Sequence, residues 1–212
     1  MNKTSIFPIL IGPMKNIAYV IFDKFSHKAA IVDPAWDLSK LYHQINMLDA
    51  EISLVLITHA HFDHVNKLNE LLNKCDVPVV LSQKTTLQLD HFNNYIQVKE
   101  NEVIKLGNTQ ITILETPGHS PDGLCFLINN ESIISGDTLF VNGCGRCDLN
   151  NSSPLDMFQS LAKIKRLNKD LTVYPGHQYA KNITSSIMEQ IKLNPYLNCK
   201  DYDSFFKMRM KK

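Results

Sequence analysis

Short apolar runs of strand length recur along the chain, and polar segments containing Gly, Asn, Asp or Pro separate them. An apolar run bounded by such residues is typical of a β-strand. The runs at 16–22 and 28–33 are consistent with a hairpin, and the turn residues at 107–108 and 129–131 each join another pair of runs. The predicted strands cover residues 16–22, 28–33, 52–58, 77–82, 102–107, 109–118, 123–128, 132–137 and 171–177.

Apolar residues spaced three or four positions apart predict amphipathic helices between and after these strands. Leu155, Phe158, Leu161 and Ile164, for example, would lie on one face of a helix. We predict helices over residues 37–49, 65–75, 154–167 and 180–193, and a short helical appendage over residues 194–212.

The order of these elements predicts an α+β fold. Hairpins form antiparallel pairs, which argues against a doubly wound parallel sheet, and two packed sheets with helices outside them suit the pattern better. At 212 residues the chain has the length of one large domain with a small addition. We therefore place a main domain at residues 1–193 and the appendage at residues 194–212.

Composition and charge exclude several classes of partner. The formal net charge of +1 gives no reason to expect a nucleic-acid or membrane partner. No apolar stretch approaches the roughly 20 residues that span a bilayer, and Pro8 and Gly12 interrupt the N-terminal apolar patch, which argues against a signal peptide. The five cysteines are an odd, scattered set that indicates reduced thiols. We expect a cytoplasmic protein.

Four groups that bind metals follow the predicted strand at 52–58 within one loop. They are His59, His61, Asp63 and His64. Imidazole nitrogens and carboxylate oxygens are good ligands for zinc and similar metals, and burying them without partners would be costly. One loop cannot easily wrap all four groups around one ion. It could serve two adjacent ions, with His59 and His61 on one and Asp63 and His64 on the other.

Three more candidate ligands lie at the ends of later strands. His119, Asp137 and His177 each follow an apolar run and a glycine, and glycine lets the backbone pass close to a site. All seven groups could therefore converge at one sheet edge. The alternative for each of the three is a solvated histidine or a turn aspartate.

These segments together resemble the metallo-β-lactamase superfamily. The resemblance rests on T-H-A-H-F-D-H at residues 58–64, with Gly-His at 118–119, Gly-Asp at 136–137 and Gly-His at 176–177. It implies a four-layer αββα sandwich, with the catalytic domain at residues 1–193, and two divalent metal ions, for which zinc is the first choice and iron or manganese the alternatives. The ligand sets it implies are His59, His61 and His119 for the first ion, Asp63, His64 and His177 for the second, and Asp137 as the bridge.

Within the superfamily, "GDTLFVNGCGRCDL" (136–149) and "PGHQY" (175–179) look most similar to hydroxyacylglutathione hydrolase, or glyoxalase II. That resemblance implies hydrolysis of an acyl thioester such as S-D-lactoylglutathione by a metal-bound hydroxide, which Asp63 could help to orient. No general acid is evident outside the ligand set, and a thiolate, with a thiol pKa of about 8.5, leaves with little help. The positions implied to contact glutathione are Arg146, Tyr179, Arg209 and Lys212.

Other interpretations remain open. "GCGRCDL" with a short C-terminus also resembles acyl hydrolases of bacterial polyketide synthases, which act on acyl-carrier-protein thioesters. "GRCDL" is close to a segment of the persulfide dioxygenases, which use one iron at the equivalents of His59, His119 and Asp137. A third alternative is a metal-binding scaffold without activity. The expected partner is therefore a small-molecule thioester or a carrier protein.

Cys144 and Cys147 form a Cys-x-x-Cys motif. A redox pair is one interpretation, although that motif is expected beside a thioredoxin-like βαβ pattern. The other is that Cys144 matches a cysteine of the family and that Cys147 is incidental.

Overall fold

The computed structural model describes residues 3–88 and 92–211, which contain fourteen strands and six helices. The strands are β1 (Thr4–Ile11), β2 (Asn16–Asp23), β3 (Lys28–Val32), β4 (Glu51–Leu56), β5 (Val79–Ser82), β6 (Tyr95–Val98), β7 (Val103–Leu106), β8 (Thr109–Glu115), β9 (Leu124–Ile128), β10 (Ser132–Gly136), β11 (Leu139–Phe140), β12 (Gly143–Cys144), β13 (Thr172–Pro175) and β14 (Ser185–Ser186). The helices are α1 (Leu38–Met47), α2 (Phe62–Val65), α3 (Leu68–Leu72), α4 (Pro154–Lys165), α5 (Ile187–Leu193) and α6 (Tyr202–Arg209).

Two six-stranded mixed sheets form the centre of the molecule. The first has the order β1-β2-β3-β4-β5-β6, with antiparallel pairs from β1 to β3 and parallel pairs from β3 to β6. The second has the order β14-β13-β10-β9-β8-β7, and β10 and β13 are its parallel pair. A small hairpin, β11–β12, follows β10. The predicted hairpins are confirmed as β2–β3, β7–β8 and β9–β10.

Strand β2 reads as a continuous apolar run because both of its faces are buried. Ile17, Tyr19 and Ile21 belong to the core between the two sheets, whereas Ala18 and Val20 belong to the core under the first helix layer. Successive side chains point to opposite faces of a strand, so one run supplies both cores. The second sheet contributes Ile111, Ile113, Phe126 and Ile134 to the core between the two sheets.

Helices cover the outer face of each sheet. Leu41 of α1 and Leu71 of α3 are buried against the first sheet, and Leu161 of α4 and Ile187 of α5 are buried against the second. The layers are therefore helix, sheet, sheet and helix, which confirms the predicted α+β fold and its four-layer αββα arrangement.

Two predicted helices begin or break elsewhere in the structure. The helix predicted over residues 65–75 is replaced by the short helices α2 and α3. The helix predicted over 180–193 was wrong at its start, because α5 begins only at Ile187. Ser186 and Glu189 form a reciprocal capping box that sets this start.

Strands β1 and β6, which the apolar pattern did not predict, lie at opposite edges of the first sheet. Pro8 interrupts the pattern of β1, but an edge strand tolerates a residue that has no backbone N–H. In β6, three of the four residues are exposed, so no buried face marks the strand in the sequence.

The C-terminal segment packs on the outer face of the second sheet. Phe205 of α6 is fully buried, and its ring centroid lies 5.5 Å from that of Phe158 in α4. Helix α6 thus shares an apolar core with α4, and the predicted domain boundary at residue 194 stays a prediction. In the two described stretches, no helix is long and apolar enough to cross a bilayer.

Candidate metal centre

The seven predicted ligands lie where strands of both sheets end. Residues 59–64 follow β4 of the first sheet, and Asp137 and His177 follow β10 and β13 of the second. The backbone N–H of Ile17 donates to the carbonyl of Gly176 at 2.8 Å, which joins the two sheets beside the site. The expected convergence therefore occurs between the edges of two sheets and not along one.

Three groups of donor atoms are close enough to hold an ion, with all atoms of a group within 4.8 Å of one another. Two of the groups share no residue with each other. The third contains Asp137 together with one histidine from each of those two groups. The groups are His59–His61–His119, Asp63–His64–His177 and His59–His64–Asp137.

Hydrogen bonds on the outer ring nitrogens set the direction of two imidazoles, those of His119 and His177. Nδ1 of His119 donates to the Arg146 carbonyl at 2.9 Å, and Nδ1 of His177 donates to the Met14 carbonyl at 2.9 Å. A carbonyl oxygen can only accept, so the proton of each neutral ring is on Nδ1 and the Nε2 lone pair faces the centre. Such outer partners are typical of metal-binding histidines.

Asp33 connects two further histidines from outside the centre. Its Oδ2 accepts from Nδ1 of His64 at 2.9 Å and from Oγ1 of Thr58 at 2.6 Å. Thr58 Oγ1 in turn lies 3.0 Å from Nδ1 of His59. Since the hydroxyl proton of Thr58 is directed to Asp33, its oxygen is left to accept from His59. One buried carboxylate therefore orients two imidazoles.

The two central carboxylates lie among the inward ring nitrogens. Oδ2 of Asp137 is 3.4 Å from Nε2 of His119 and 3.3 Å from Nε2 of His177. Oδ2 of Asp63 is 3.4 Å from Nε2 of His177 and accepts a 2.8 Å hydrogen bond from Nδ2 of Asn16. These contacts orient the His177 ring and the Asp63 carboxylate.

Burial and charge move the pKa values of these groups in opposite directions. Burial lowers the pKa of His59 well below its usual range and also lowers that of His61. Burial also acts to lower the pKa of His64, but the negative charge of Asp137 and the hydrogen bond to Asp33 outweigh it and raise this pKa to about 9. Burial acts to raise the pKa of Asp137, yet the nearby His64 holds it well below its usual range. The shifts therefore favour neutral rings at His59 and His61 and an ionised carboxylate at Asp137, which are the forms that bind metal.

The residues present fit a metal ion. Nε2 of His59 and Oδ1 of Asp137 are buried and have no hydrogen-bond partner in the described part of the chain. A buried polar atom without a partner is costly, and coordination would satisfy both. Five imidazoles and two carboxylates make a nitrogen and oxygen donor set that suits zinc and other first-row metals. That each of the seven binds metal stays a prediction.

A cavity of about 890 Å³ opens onto this centre. Apolar side chains at its wall include Met14, Phe62, Phe140 and Tyr179. The Tyr179 ring stacks on His177 with a centroid separation of 5.0 Å and an interplanar angle of 8°. The predicted substrate position Tyr179 is therefore at the cavity wall beside a candidate ligand.

The basic residues predicted to contact substrate make contacts within the chain. Arg146 lines the cavity, and its guanidinium is paired with Asp148. Arg209 also lines the cavity, and its Nη1 donates to the Cys144 carbonyl and to the Tyr196 hydroxyl, both at 3.3 Å. Lys212 lies outside the described residues.

The two cysteines of the Cys-x-x-Cys motif are both buried. Burial raises the pKa of each thiol to about 12. A thiol is a poor nucleophile until it is deprotonated, so these two groups have the character of packing residues.

Several residues that shape the site were missed by the analysis of the sequence. They are not among the seven candidate ligands and act through hydrogen bonds: Asn16, Asp33, Thr58 and Asp122. Asp122 accepts from the backbone N–H of Ala60 at 3.0 Å and so supports the ligand loop. The signal for Asp33 was its place at the end of a predicted strand, which it shares with Asp137.

The fold and the site define an αββα protein with a histidine and aspartate centre between its two sheets. Residues 14–177 match the family model described as the metallo-beta-lactamase superfamily. The chain therefore belongs to the metallo-β-lactamase superfamily.

Similar proteins include two hydrolases and a protein of known structure. The probable polyketide biosynthesis zinc-dependent hydrolase PksB of Bacillus subtilis (strain 168) is 37% identical over 202 residues, which is 93% of this chain and 88% of that protein. A hydroxyacylglutathione hydrolase of Francisella tularensis subsp. novicida (strain U112) is 34% identical over 172 residues, which is 80% of this chain and 66% of that protein. The crystal structure of ETHE1 from Myxococcus xanthus has a TM-score of 0.88 and 26% identity and covers 97% of this chain and 89% of that one.

Proposed function

We propose that this protein is a zinc-dependent hydrolase that cleaves acyl thioesters. The observation that carries the proposal is the cluster of five imidazoles and two carboxylates at the base of an open cavity. The names of PksB and of the hydroxyacylglutathione hydrolases support hydrolysis, and the former supports zinc.

The arrangement of the donor groups supports two ions. His59–His61–His119 and Asp63–His64–His177 are separate sets of three, as one ion each would require. The remaining group contains Asp137 together with one histidine from each set, which is the position expected for a bridging carboxylate. Zinc held by these residues would lower the pKa of a bound water to about 7 and polarise the thioester carbonyl.

Asp63 is the residue that we assign to the attacking water. Asn16 Nδ2 donates to its Oδ2 at 2.8 Å, which leaves Oδ1 to accept a proton from that water. The water oxygen then bonds to the acyl carbon, the C–S bond breaks, and the thiolate departs. Because the thiol has a pKa of about 8.5, the leaving group takes up its proton from solvent without a dedicated acid.

Two thiol carriers are candidates. A glutathione thioester such as S-D-lactoylglutathione is supported by the resemblance to glyoxalase II, of which the chain spans about two thirds. A thioester of an acyl carrier protein is supported by the match to PksB over nearly its whole length. In both cases the acyl thioester reaches the centre through the cavity beside Tyr179.

The experiment that tests the proposal measures metal content and thiol release on the same protein. Zinc-loaded protein is expected to hold two ions per chain and to release thiol from S-D-lactoylglutathione or S-acetylpantetheine. Stripping the metal with a chelator should abolish this release, and zinc but not magnesium should restore it, because magnesium prefers oxygen ligands. Absence of thiol release from both thioesters would overturn the proposal. A single bound iron with oxygen uptake on a persulfide would favour the dioxygenase interpretation instead.

A further inference from the structure

Arg146 and Asp148 form a bidentate ion pair at the cavity. Nε and Nη2 of Arg146 donate to Oδ1 and Oδ2 of Asp148 at 2.7 and 2.8 Å. A guanidinium matches a carboxylate geometrically, and here Asp148 occupies the Nε and Nη2 edge of Arg146. Arg146 is the residue of the pair that lines the cavity, and Asp148 lies beside it.

This pair affects recognition of an anionic substrate in two ways. A carboxylate of glutathione would have to displace Asp148 to obtain the same two hydrogen bonds from Arg146. It would also approach the negative charge of Asp148, and like charges at a binding site disfavour association.

Another basic residue of the cavity is also committed to contacts within the chain. Arg209 donates to the Cys144 carbonyl and to the Tyr196 hydroxyl, and its guanidinium carbon lies 5.4 Å from the centroid of the Tyr196 ring. The wall also contains Met14, Phe62, Phe140 and Tyr179, which are aromatic or apolar, and a further cationic side chain, Lys181. The aromatic and apolar part of this wall suits an uncharged thiol arm.

We propose that Asp148 is a specificity-determining residue, which neutralises Arg146 and selects acyl thioesters of an uncharged, pantetheine-like thiol over those of glutathione. This inference rests on the proposed thioester hydrolysis and specifies the thiol class. The ion pair is the observed contact, and its consequence is discrimination against thioesters whose thiol carries negative charge. We call this discrimination the charge filter.

The kinetic test compares thioesters that have the same acyl group. S-acetylpantetheine is neutral, S-acetylglutathione carries two carboxylates, and the diethyl ester of S-acetylglutathione keeps the shape but masks both. Wild-type protein is expected to have a higher kcat/KM for the pantetheine thioester. Asp148→Asn should raise kcat/KM for S-acetylglutathione relative to its diethyl ester on the order of fivefold, the scale of one exposed charge interaction.

Two variants show whether the gain acts through Arg146. In the double variant Arg146→Gln/Asp148→Asn the gain should disappear, because the freed guanidinium is absent. Asp170 is exposed and lies before β13, at the end of that strand away from His177. Asp170→Asn changes the net charge by the same amount as Asp148→Asn, and it should leave the ratio of the two kcat/KM values as in the wild type. The gain in Asp148→Asn should also shrink as salt is raised.

A binding measurement separates failure of this inference from failure of the proposed function. Calorimetry with S-methylglutathione, which is not a thioester, needs no turnover, and Asp148→Asn should bind it more tightly than the wild type. If the wild type hydrolyses S-acetylpantetheine but Asp148→Asn changes neither the kinetic ratio nor this affinity, the charge filter is overturned and the hydrolase stands. If neither thioester is hydrolysed, the proposed function falls and the selectivity proposal falls with it.

Discussion

Nδ1 of His64 donates a 2.9 Å hydrogen bond to Oδ2 of Asp33, a buried carboxylate outside the seven predicted ligands. The same oxygen accepts from Thr58, whose hydroxyl lies 3.0 Å from His59. His59 and His64 belong to the two separate donor sets. Asp33 therefore supports one imidazole of each set.

We expect Asp33→Asn to weaken zinc binding. The amide keeps the size of the side chain but removes the charge and one acceptor, so His59 and His64 lose their shared support. Loss of such an outer partner lowers metal affinity by about 10- to 100-fold. Competition with a zinc chelator measures the change. Asp37→Asn is the matched control, because Asp37 caps α1 outside the donor sets and asparagine caps equally well. Equal zinc affinity of Asp33→Asn and the wild type would contradict the support role.

Asp137→Ala should reduce metal content and thioester turnover together. It removes the carboxylate whose Oδ2 lies near both His119 and His177, and leaves these imidazoles without their shared partner. We expect kcat/KM to fall by at least about 100-fold, the upper end of the losses for outer partners. Elemental analysis of the same preparation reports the stoichiometry. Two ions per chain with near-normal turnover would disprove the bridging assignment.

Gly145→Ala should damage the centre, whereas Gly143→Ala should be far milder. A Cβ at Gly145 would lie 2.0 Å from the Asp137 carbonyl oxygen and 3.0 Å from Cβ of His119, so the backbone of the site would have to move. A Cβ at Gly143 would meet Phe140 at 3.7 Å, which is ordinary contact. Zinc stoichiometry and kcat report the difference. Similar values for both variants would show that the close approach at Gly145 is unimportant.

Phe205→Ala should destabilise the whole protein. Phe205 is fully buried in the core that α4 and the second sheet share, and truncation of such a side chain costs about 3–5 kcal/mol. The next residue, Phe206, is 43% exposed, so Phe206→Ala should cost less than about 1 kcal/mol. Urea denaturation monitored by circular dichroism measures both free energies of unfolding. A small and equal cost for the two variants would indicate that α6 is a separate appendage.

Much of the fold and of the candidate site could be predicted from the sequence because their signals are local. The run at 52–58 is apolar because β4 is buried, and the metal-binding side chains follow directly after it. The positions of His119, Asp137 and His177 were marked in the same way by a strand and a glycine. Local patterns also predicted the hairpins, since each needs only two short runs and a turn.

Helix starts and edge strands were harder to predict. The start of α5 depends on the capping box of Ser186 and Glu189 and on the pairing of β14 with β13, and apolar spacing reports neither. Strand β6 exposes most of its side chains, so no periodic apolar face distinguishes it from a loop.

The sequence by itself determined which groups are available for chemistry: four in one loop and three more at strand ends. Only the tertiary structure decided which partners hold them. Asn16 lies 47 positions before Asp63, and Met14 lies 163 positions before His177, yet each is a hydrogen-bond partner of that residue. The physical reason is that a hydrogen bond or an ion pair depends on distance and direction in the folded chain. Residue type and spacing record only which groups a segment carries and which of its faces is buried.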